Sequence, residues 1–293
     1  MALPLHLLRI FATVVEANGF SNAAQILHIS QPAVSKGVKE LESQLGIALI
    51  ERGERGVRLT AAGEALSLRA REILAVERQA EAEVRAIRGL ASGALRLGAS
   101  STIAAYHLPS SVAAFAVRYP RIDLRLASGN TTAIVALLLA REIELGFVEA
   151  PVTDPGIVAT AWRDEELVMI AAPTHRLARR KRAATTADLA DEIFVVREPG
   201  SGTRAIAEDM LGQMDVPIRN TVEAGSTEAV KQLVAAGLGL AIMSRAAASD
   251  QLALRKLRLI SLPQPVHRRT LWRISLLGRQ EGPSAQAFQR LAT

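Results

Sequence analysis

Residues 20–46 read FSNAAQILHISQPAVSKGVKELESQLG, and the spacing of apolar residues in this stretch decides the N-terminal fold. Ala23, Ala24 and Leu27 lie on the buried side of a short helix that Ser21 can cap. After Ile29 the chain offers a second cap, Ser30, and then Pro32, whose missing N–H is harmless in a first helical turn. Val34, Val38, Leu41 and Leu45 follow at steps of four, three and four, so they share one face of a longer helix that stops at Gly46. Upstream, Leu5, Leu8, Phe11, Ala12 and Val15 give a preceding helix the same stripe, and Asn18-Gly19 ends it. Two short helices joined by a tight turn, with alanines where they cross, form a helix-turn-helix. The spacings alone also fit a plain three-helix bundle.

Outward from that core, Ile47 to Thr60 reads as a hairpin. Ile47, Leu49 and Ile50 lead to a tip of Gly53-Glu54-Arg55-Gly56 and return through Val57-Arg58-Leu59, which makes a wing. Thr60, with Glu64 nearby, then opens a polar, alanine-rich stretch to Leu90 whose interior holds no glycine or proline except Gly63, with Gly89 next to its end. Such a helix is about 45 Å long, too long to lie on a small domain. Its apolar positions Leu66, Ala70, Ile73, Ala80, Val84 and Ile87 are spaced nearly as heptads, with Glu77 where an apolar residue is due. A narrow stripe with charged flanks predicts a partner helix and so a homodimer; the alternative is a long helix packed on its own body.

Ala91-Ser92-Gly93 reads as a hinge. Beyond it, strand-like Leu95–Ala99, Ile122–Leu126 and Ile143–Val148 alternate with helical segments near 103–117 and 133–140, which argues for α/β with parallel strands. A second set comprises Leu167–Ala171, Ile193–Val196, a helix near 204–214, a strand at Thr221-Val222, a helix near 228–236 and Leu240–Met243. Thr270–Leu277 and a short helix from Ser284 return to the first set, giving two lobes joined by crossover strands. The expected organisation is a winged helix-turn-helix domain over 1–60, an all-α linker and dimerisation helix over 61–90, and an α/β effector domain over 91–293. Its lobe I takes about 94–161 and 266–293, and lobe II about 162–265.

The chain has 293 residues, a formal net charge of +6 and no cysteine. Without thiols there are no disulfides, no thiolate zinc sites and no thiol redox sensing. The start, Met1-Ala2-Leu3-Pro4-Leu5-His6, lacks a signal-peptide pattern, and no apolar run approaches ~18 residues, so a soluble cytoplasmic protein without membrane contact is expected. Residues 1–90 hold 11 Lys and Arg against 10 Asp and Glu, while residues 91–293 hold 24 against 19, so bulk charge does not locate a DNA surface. The densest basic run, Arg176, Arg179, Arg180, Lys181 and Arg182, lies between two strand-like segments and reads as a solvated turn or a binding patch.

Three strings together, Phe20-Ser21-Asn22-Ala23-Ala24, Ile29-Ser30-Gln31-Pro32-Ala33-Val34-Ser35 and Lys39-Glu40-Leu41-Glu42-Ser43-Gln44-Leu45-Gly46, resemble the LysR-type transcriptional regulators. So do Leu49-Ile50-Glu51-Arg52 and Val57-Arg58-Leu59-Thr60-Ala61-Ala62-Gly63. The resemblance implies a winged helix-turn-helix, a linker-helix dimer that often becomes a homotetramer, and an effector domain folded like periplasmic binding proteins. Arg197-Glu198-Pro199-Gly200-Ser201-Gly202-Thr203-Arg204 and Gly225-Ser226-Thr227-Glu228-Ala229-Val230-Lys231 resemble the branch that regulates carbon-fixation and sulfur-assimilation operons. The chain closes soon after its last short helix, at Leu291-Ala292-Thr293, earlier than the family pattern, and the cysteines of oxidant-sensing members are missing.

A recognition helix presents its first residues to base edges while flanking groups hold phosphates. Gln31, Ala33, Ser35 and Lys36 therefore face operator DNA at the start of the third helix, opened by Ser30 and Pro32, with Val34 and Val38 facing inward. Gln31 suits adenine, Ala33 a thymine methyl, and Lys36 guanine or phosphate. Ser21, Lys39, Arg52, Arg55 and Arg58 are placed for backbone contacts; Ser21 and Ser30 equally serve as caps, and Arg55 equally fits a solvated hairpin tip.

In open α/β lobes ligands sit at the carboxyl ends of strands, against helix N-termini. Ser100-Ser101-Thr102, Gly129-Asn130-Thr131-Thr132 and Ser201-Gly202-Thr203 are such junctions, rich in hydroxyls and free N–H groups suited to a small anion, though each also fits a plain helix cap. The candidate effector set is Ser100, Ser101, Thr102, Asn130, Thr131, Arg197, Ser201, Gly202, Thr203, Arg204, Ser226 and Thr227. Arg204 opens a helix whose N-terminus is already positive, so it needs a negative neighbour: either Glu208 one turn on, or an anionic effector. An enzyme is disfavoured. Gly-Ser-Gly-Thr lacks the ending of a P-loop, and His107, His175 and His267 show no paired carboxylate or metal spacing, so no catalytic residue, cofactor or metal is expected. A transport-type binding protein is disfavoured by the 90 N-terminal residues.

Overall fold

The computed structural model describes residues 3–51, 57–86, 93–263 and 267–292. The chain divides into two compact units, Met1–Val84 and Arg85–Thr293.

The first unit contains α1 (Leu5–Glu16), α2 (Phe20–Leu27), α3 (Gln31–Leu45), β1 (Ile50–Glu51), β2 (Arg58–Leu59) and α4 (Ala61–Ala86). Val14, Ala23, Ala24, Val34 and Val38 form one part of its core, and Leu7, Phe11, Leu41 and Leu49 another. Ser30 caps α3, its Oγ accepting the Ala33 N–H at 3.4 Å, and Gly46 ends that helix in the left-handed region at φ 68°. Ser21 is not a cap. Helix α2 begins two residues earlier than a Ser21 cap would place it, with Gly19 at the N-cap, which leaves Ser21 exposed in the first turn. The wing pairs Ile50 with Leu59 and Glu51 with Arg58, and the Asn18 side chain accepts the Val57 N–H at 3.1 Å. Arg52 and Arg55 at its tip lie outside the described residues, as does Ile87.

Thr60 starts α4 by accepting the Gly63 N–H at 3.0 Å. A Cβ at Gly63 would lie 2.0 Å from the Leu49 carbonyl oxygen, so only glycine passes there. The expected apolar stripe of α4 divides in two. Ala70 and Leu74, flanked by Leu66, pack on Leu8 and Ala12 of α1. Glu77, the interruption in the heptads, is an ion-pair partner of Arg9 at 2.7 Å on the same side. Ile73, Val76, Ala80 and Val84 are exposed on the remaining surface.

The second unit runs β3 (Gly93–Ser100), α5 (Ser101–Tyr106), α6 (Pro109–Arg118), β4 (Ile122–Gly129), α7 (Thr131–Leu139), β5 (Leu145–Val148) and β6 (Ile157–Ala171). A 3-10 turn (Leu177–Arg179), α8 (Thr186–Leu189), β7 (Ile193–Arg197), α9 (Gly202–Gln213), β8 (Asn220–Ala224) and α10 (Thr227–Ala235) follow. Last come β9 (Leu240–Ser244), α11 (Arg245–Ala253), β10 (Arg258–Ile260), β11 (His267–Leu276) and α12 (Pro283–Gln289). The strand order is β4-β3-β5-β11-β6-β9-β7-β8, with β10 paired to β6. The lateral strands are parallel within each lobe, while the central pair β6 and β11 is antiparallel and carries the chain across from lobe to lobe.

Two expectations change. The helix expected over 103–117 is two helices, because Pro109 lacks the N–H that would continue the first. The strand expected from Leu167 begins at Ile157, ahead of the charged run Arg163-Asp164-Glu165-Glu166 at its centre. Lobe I closes over Leu97, Ile103, Phe115, Phe147 and Phe288, and lobe II over Leu167, Phe194, Leu211 and Leu240 on one face and Ile170, Val195, Val234 and Met243 on the other. No described helix is long and apolar enough to cross a membrane.

Candidate functional site

Helix α3 turns two faces to different surroundings. Val34, Gly37 and Val38 are buried against α1 and α2, while Gln31, Pro32, Ala33, Lys36 and Lys39 are exposed and Ser35 is half-buried. The Gln31 amide donates to Ser35 Oγ at 3.1 Å, which orders the start of the helix. Ser21 and Ser30 are exposed on the adjoining segments, and Arg58 pairs with Glu51 across the wing at 3.0 Å. Helix and wing thus offer amide, hydroxyl, methyl and cationic groups outward, the set that reads base edges and holds phosphates.

In the second unit, the expected junctions converge where the lobes meet. Ser201 and Asn130 cap α9 and α7, and Asn130 also donates to Glu198 and the Pro199 carbonyl oxygen, both at 3.4 Å, across the cleft. Thr131, Ser201, Gly202 and Arg204 line one open cavity of about 400 Å³. Thr102, Arg197, Thr203 and Thr227 line an inner void of about 20 Å³, room for a single water. Thr102 and Thr227 hydroxyls meet across it at 3.3 Å, and Arg197 donates to Thr227 Oγ1 at 2.7 Å. The Ser101 hydroxyl instead donates to the Gly129 carbonyl oxygen, and Ser226 is an exposed cap of α10. A Cβ on Gly202 would lie 2.9 Å from that of Glu149 and 3.0 Å from Thr131 Oγ1, so glycine lets the lobes approach here.

Every cation in the cleft has a carboxylate. Arg197 makes a two-pronged pair with Glu198, both contacts at 2.8 Å; burial pushes the Glu198 carboxyl up, but the Arg197 hydrogen bonds outweigh it and the net shift is down. Arg204 donates to Glu208 at 2.8 Å and to Glu223 at 3.0 Å, so the within-helix partner expected from the sequence is present together with a second one. Buried Lys231 of α10 bridges to Tyr106 of lobe I at 2.9 Å and pairs with Glu228 at 2.7 Å; burial lowers its pKa, yet these partners raise it above its ordinary value.

Residues 5–64 match the model of the bacterial regulatory helix-turn-helix protein, lysR family, and residues 88–293 that of the LysR substrate binding domain. The chain belongs to the LysR family of transcriptional regulators. It is 36% identical over 289 residues to the RuBisCO operon transcriptional regulator of Allochromatium vinosum, covering 99% of this chain and 95% of that one, in line with the carbon-fixation branch. Full-length OxyR of Pseudomonas aeruginosa, a variant structure, superposes with a TM-score of 0.75 at 26% identity, over 100% of this chain and 94% of that one. The regulatory domain of Synechocystis CcmR, solved in complex with 2-PG, superposes at 0.63 with 30% identity, over 69% of this chain and 96% of that one. The LysR family is one of DNA-binding regulators with an effector-binding domain, not of enzymes.

This LysR-family cleft also contains residues that sequence reasoning missed. Glu165 of β6 accepts hydrogen bonds from His107 at 2.5 Å, from Arg269 Nε at 2.7 Å and from Ser244. The sequence shows no carboxylate near His107, yet folding supplies one; His175 likewise meets Glu192 at 3.1 Å. Arg269 also donates to Thr203 Oγ1 at 3.0 Å, and Thr203 donates to buried Glu149 at 3.1 Å. The available signal was charge inside strands: Arg268-Arg269 lie in register with Glu166 and Glu165.

Proposed function

We propose that this regulator binds operator DNA as a dimer, inserting α3 in the major groove with the wing on the backbone, and that a small anion held between the lobes sets its activity. The observation that carries the effector reading is Thr131 Oγ1, a buried hydroxyl that borders the open cavity and has no hydrogen-bond partner among the described residues; Ser100 Oγ, buried at the end of β3, has none there either. An unpaired buried hydroxyl costs about 1–3 kcal/mol, which a ligand accepting or donating there recovers. Because Arg197 and Arg204 are already paired, the anion is held chiefly by the N-terminal amides of α7 and α9 and by Thr131 and Ser201 at the open cavity, with Asn130 bridging the lobes. The 2-PG bound by the CcmR regulatory domain makes phosphorylated carboxylates the first class to try.

Dimerisation is supported by the exposed row Ile73, Val76, Ala80 and Val84, and assembly to a tetramer and a cytoplasmic setting follow from the family reading. The test is thermal unfolding of the full chain with 2-PG, phosphate and sulfate. A specific ligand raises stability by about 2.7 kcal/mol at a hundred times its dissociation constant. Thr131→Val is expected to remove that gain. No stabilisation by any of these anions, in a protein that still binds DNA, overturns the anionic assignment.

A further inference from the structure

Two basic runs far apart in sequence meet at the β10 edge of lobe II. The first places five cations within the seven residues from Arg176 to Arg182. Arg176 pairs with Glu192 at 2.6 Å, and Arg180 and Arg182 both pair with Asp188, whose carboxyl is held far below its usual range by the Arg182 hydrogen bond, the Thr185 N–H and Arg180. These contacts bend the turn and use up both carboxylates. Arg179 and Lys181 stay exposed, with no carboxylate partner among the described residues. The second run, Arg255-Lys256-Leu257-Arg258, leads from α11 into β10; Leu257 is buried and the three cations are exposed, again without a carboxylate partner among the described residues.

Folding brings the two runs together. The 3-10 turn packs on β10, the Ala184 N–H donates to the Ser261 carbonyl oxygen at 2.8 Å, and Arg258 lies opposite Ala171, where β6 leads into the first run. Leu177, Ala184 and Ile260 share the core on one face of the sheet, and Leu257 packs into the core on the other, so the two runs approach the β10 edge from the two faces. The C-terminal end of α11 gives Arg255 and Lys256 some favourable field, but that field fades within one helical turn and leaves Arg179, Lys181 and Arg258 unaccounted for.

We propose that this edge, formed by Arg179, Lys181, Arg255, Lys256 and Arg258, binds the phosphate backbone of duplex DNA, a contact separate from the bases read by α3. Five crowded cations repel one another, and a polyanion relieves that repulsion by releasing its own counterions. An acidic protein is the other polyanion to consider. Protein interfaces, however, centre on patches depleted in charge, whereas here exposed cations from both runs flank β10 and the exposed leucines, Leu254 and Leu259, are single.

The experiment measures binding of the full-length protein to a random-sequence duplex of about 60 base pairs between about 50 and 200 mM salt. Two variants are compared with the wild type, Arg179→Glu with Lys181→Glu and Arg255→Glu with Lys256→Glu, each checked for an unchanged thermal unfolding profile. Each pair removes two phosphate contacts, so the slope of log affinity against log salt is expected to become shallower by about two. Wild-type slopes in both variants overturn the proposal, and if one fails to fold the other decides alone. Unchanged slopes with loss of regulated transcription in a purified system overturn it in favour of an acidic protein surface.

Discussion

Glu165 and His107, 58 residues apart in sequence, meet at 2.5 Å, and the same carboxylate holds buried Arg269. One acid thereby ties the end of α5 to the strand pair that crosses between the lobes. Burial pushes the Glu165 carboxyl up, but the hydrogen bond from His107, the charge of Arg269 and the Ser244 hydroxyl outweigh it, and its pKa falls below the ordinary 4.5. A carboxyl with a depressed folded-state pKa contributes stability that is whole above the unfolded value and is lost as pH falls through the folded one. Urea unfolding is therefore expected to show stability falling as pH drops below 4.5, and Glu165→Gln is expected to flatten that dependence. At neutral pH the same substitution strands a buried guanidinium and costs about 3–5 kcal/mol. A midpoint unchanged at neutral pH would show that Arg269 finds its compensation elsewhere.

The part of the fold legible in the sequence is the part built from local contacts. Helices α1 to α3 follow from apolar spacing because each buries its stripe on a neighbour in the same short stretch, and Ser30, Pro32 and Gly46 act within their own turns. Ser21 misled because Gly19 and Phe20 start the helix first. The middle of β6 was illegible for the opposite reason. Arg163-Asp164-Glu165-Glu166 looks like a solvated loop until Arg268, Arg269 and Thr270 of β11 are set in register against it. The helix-cap hydroxyls of the cleft could be read from their junctions, but Glu165 and Arg269 are joined only by the pairing of β6 with β11, and Glu149 meets Thr203 only where the two lobes close. The two faces of α4 likewise separate only once α1 is seen to occupy one of them.

That division makes opposite outcomes for adjacent substitutions in α4. Leu74→Asp places a charge against Leu8 and Ala12 and is expected to unfold the N-terminal unit, since an unpaired buried charge has no compensation there. Ile73→Asp lies on the exposed row; it is expected to leave the unit folded and to convert the dimer to monomer in sedimentation equilibrium, weakening operator binding because two half-sites are no longer bridged. A dimer that persists in Ile73→Asp puts the seam on another face.

On the DNA side, the outward residues of α3 divide by role. Gln31→Ala and Lys36→Ala are each expected to cost about 1–3 kcal/mol on the operator if they contact bases, with less effect on unrelated DNA. Arg58→Ala is expected to weaken all duplexes alike and to make the salt dependence shallower by about one. Competition binding with operator and scrambled duplexes separates the two patterns. Equal loss on both duplexes in the α3 variants would move base recognition away from this helix.

The last prediction concerns Arg204, at the first turn of α9. A cation there opposes the helix dipole, and two carboxylates answer it: Glu208 one turn on and Glu223 on β8, while the guanidinium also donates to the Arg197 carbonyl oxygen at 3.0 Å. The hydrogen bond to Glu208, partial burial acting the other way, and the bond to Glu223 together raise the Arg204 pKa. With two negative partners for one positive charge, Arg204 has little charge left for an effector, although it borders the same open cavity as Thr131 and Gly202. Exposed pairs of this kind contribute about 0–1 kcal/mol. Arg204→Ala and Glu208→Ala are accordingly expected to lower stability by similar small amounts and to leave the affinity for 2-PG or sulfate within a factor of about two, a difference below 0.5 kcal/mol. The alternative is a clamp, in which the guanidinium leaves Glu223 for the anion. Under that mechanism Arg204→Ala alone abolishes anion binding, and Glu223→Gln, by freeing the guanidinium, strengthens it. Calorimetric titration of the three variants decides, because loss of binding in Arg204→Ala together with a gain in Glu223→Gln is an outcome that a structural pair cannot produce.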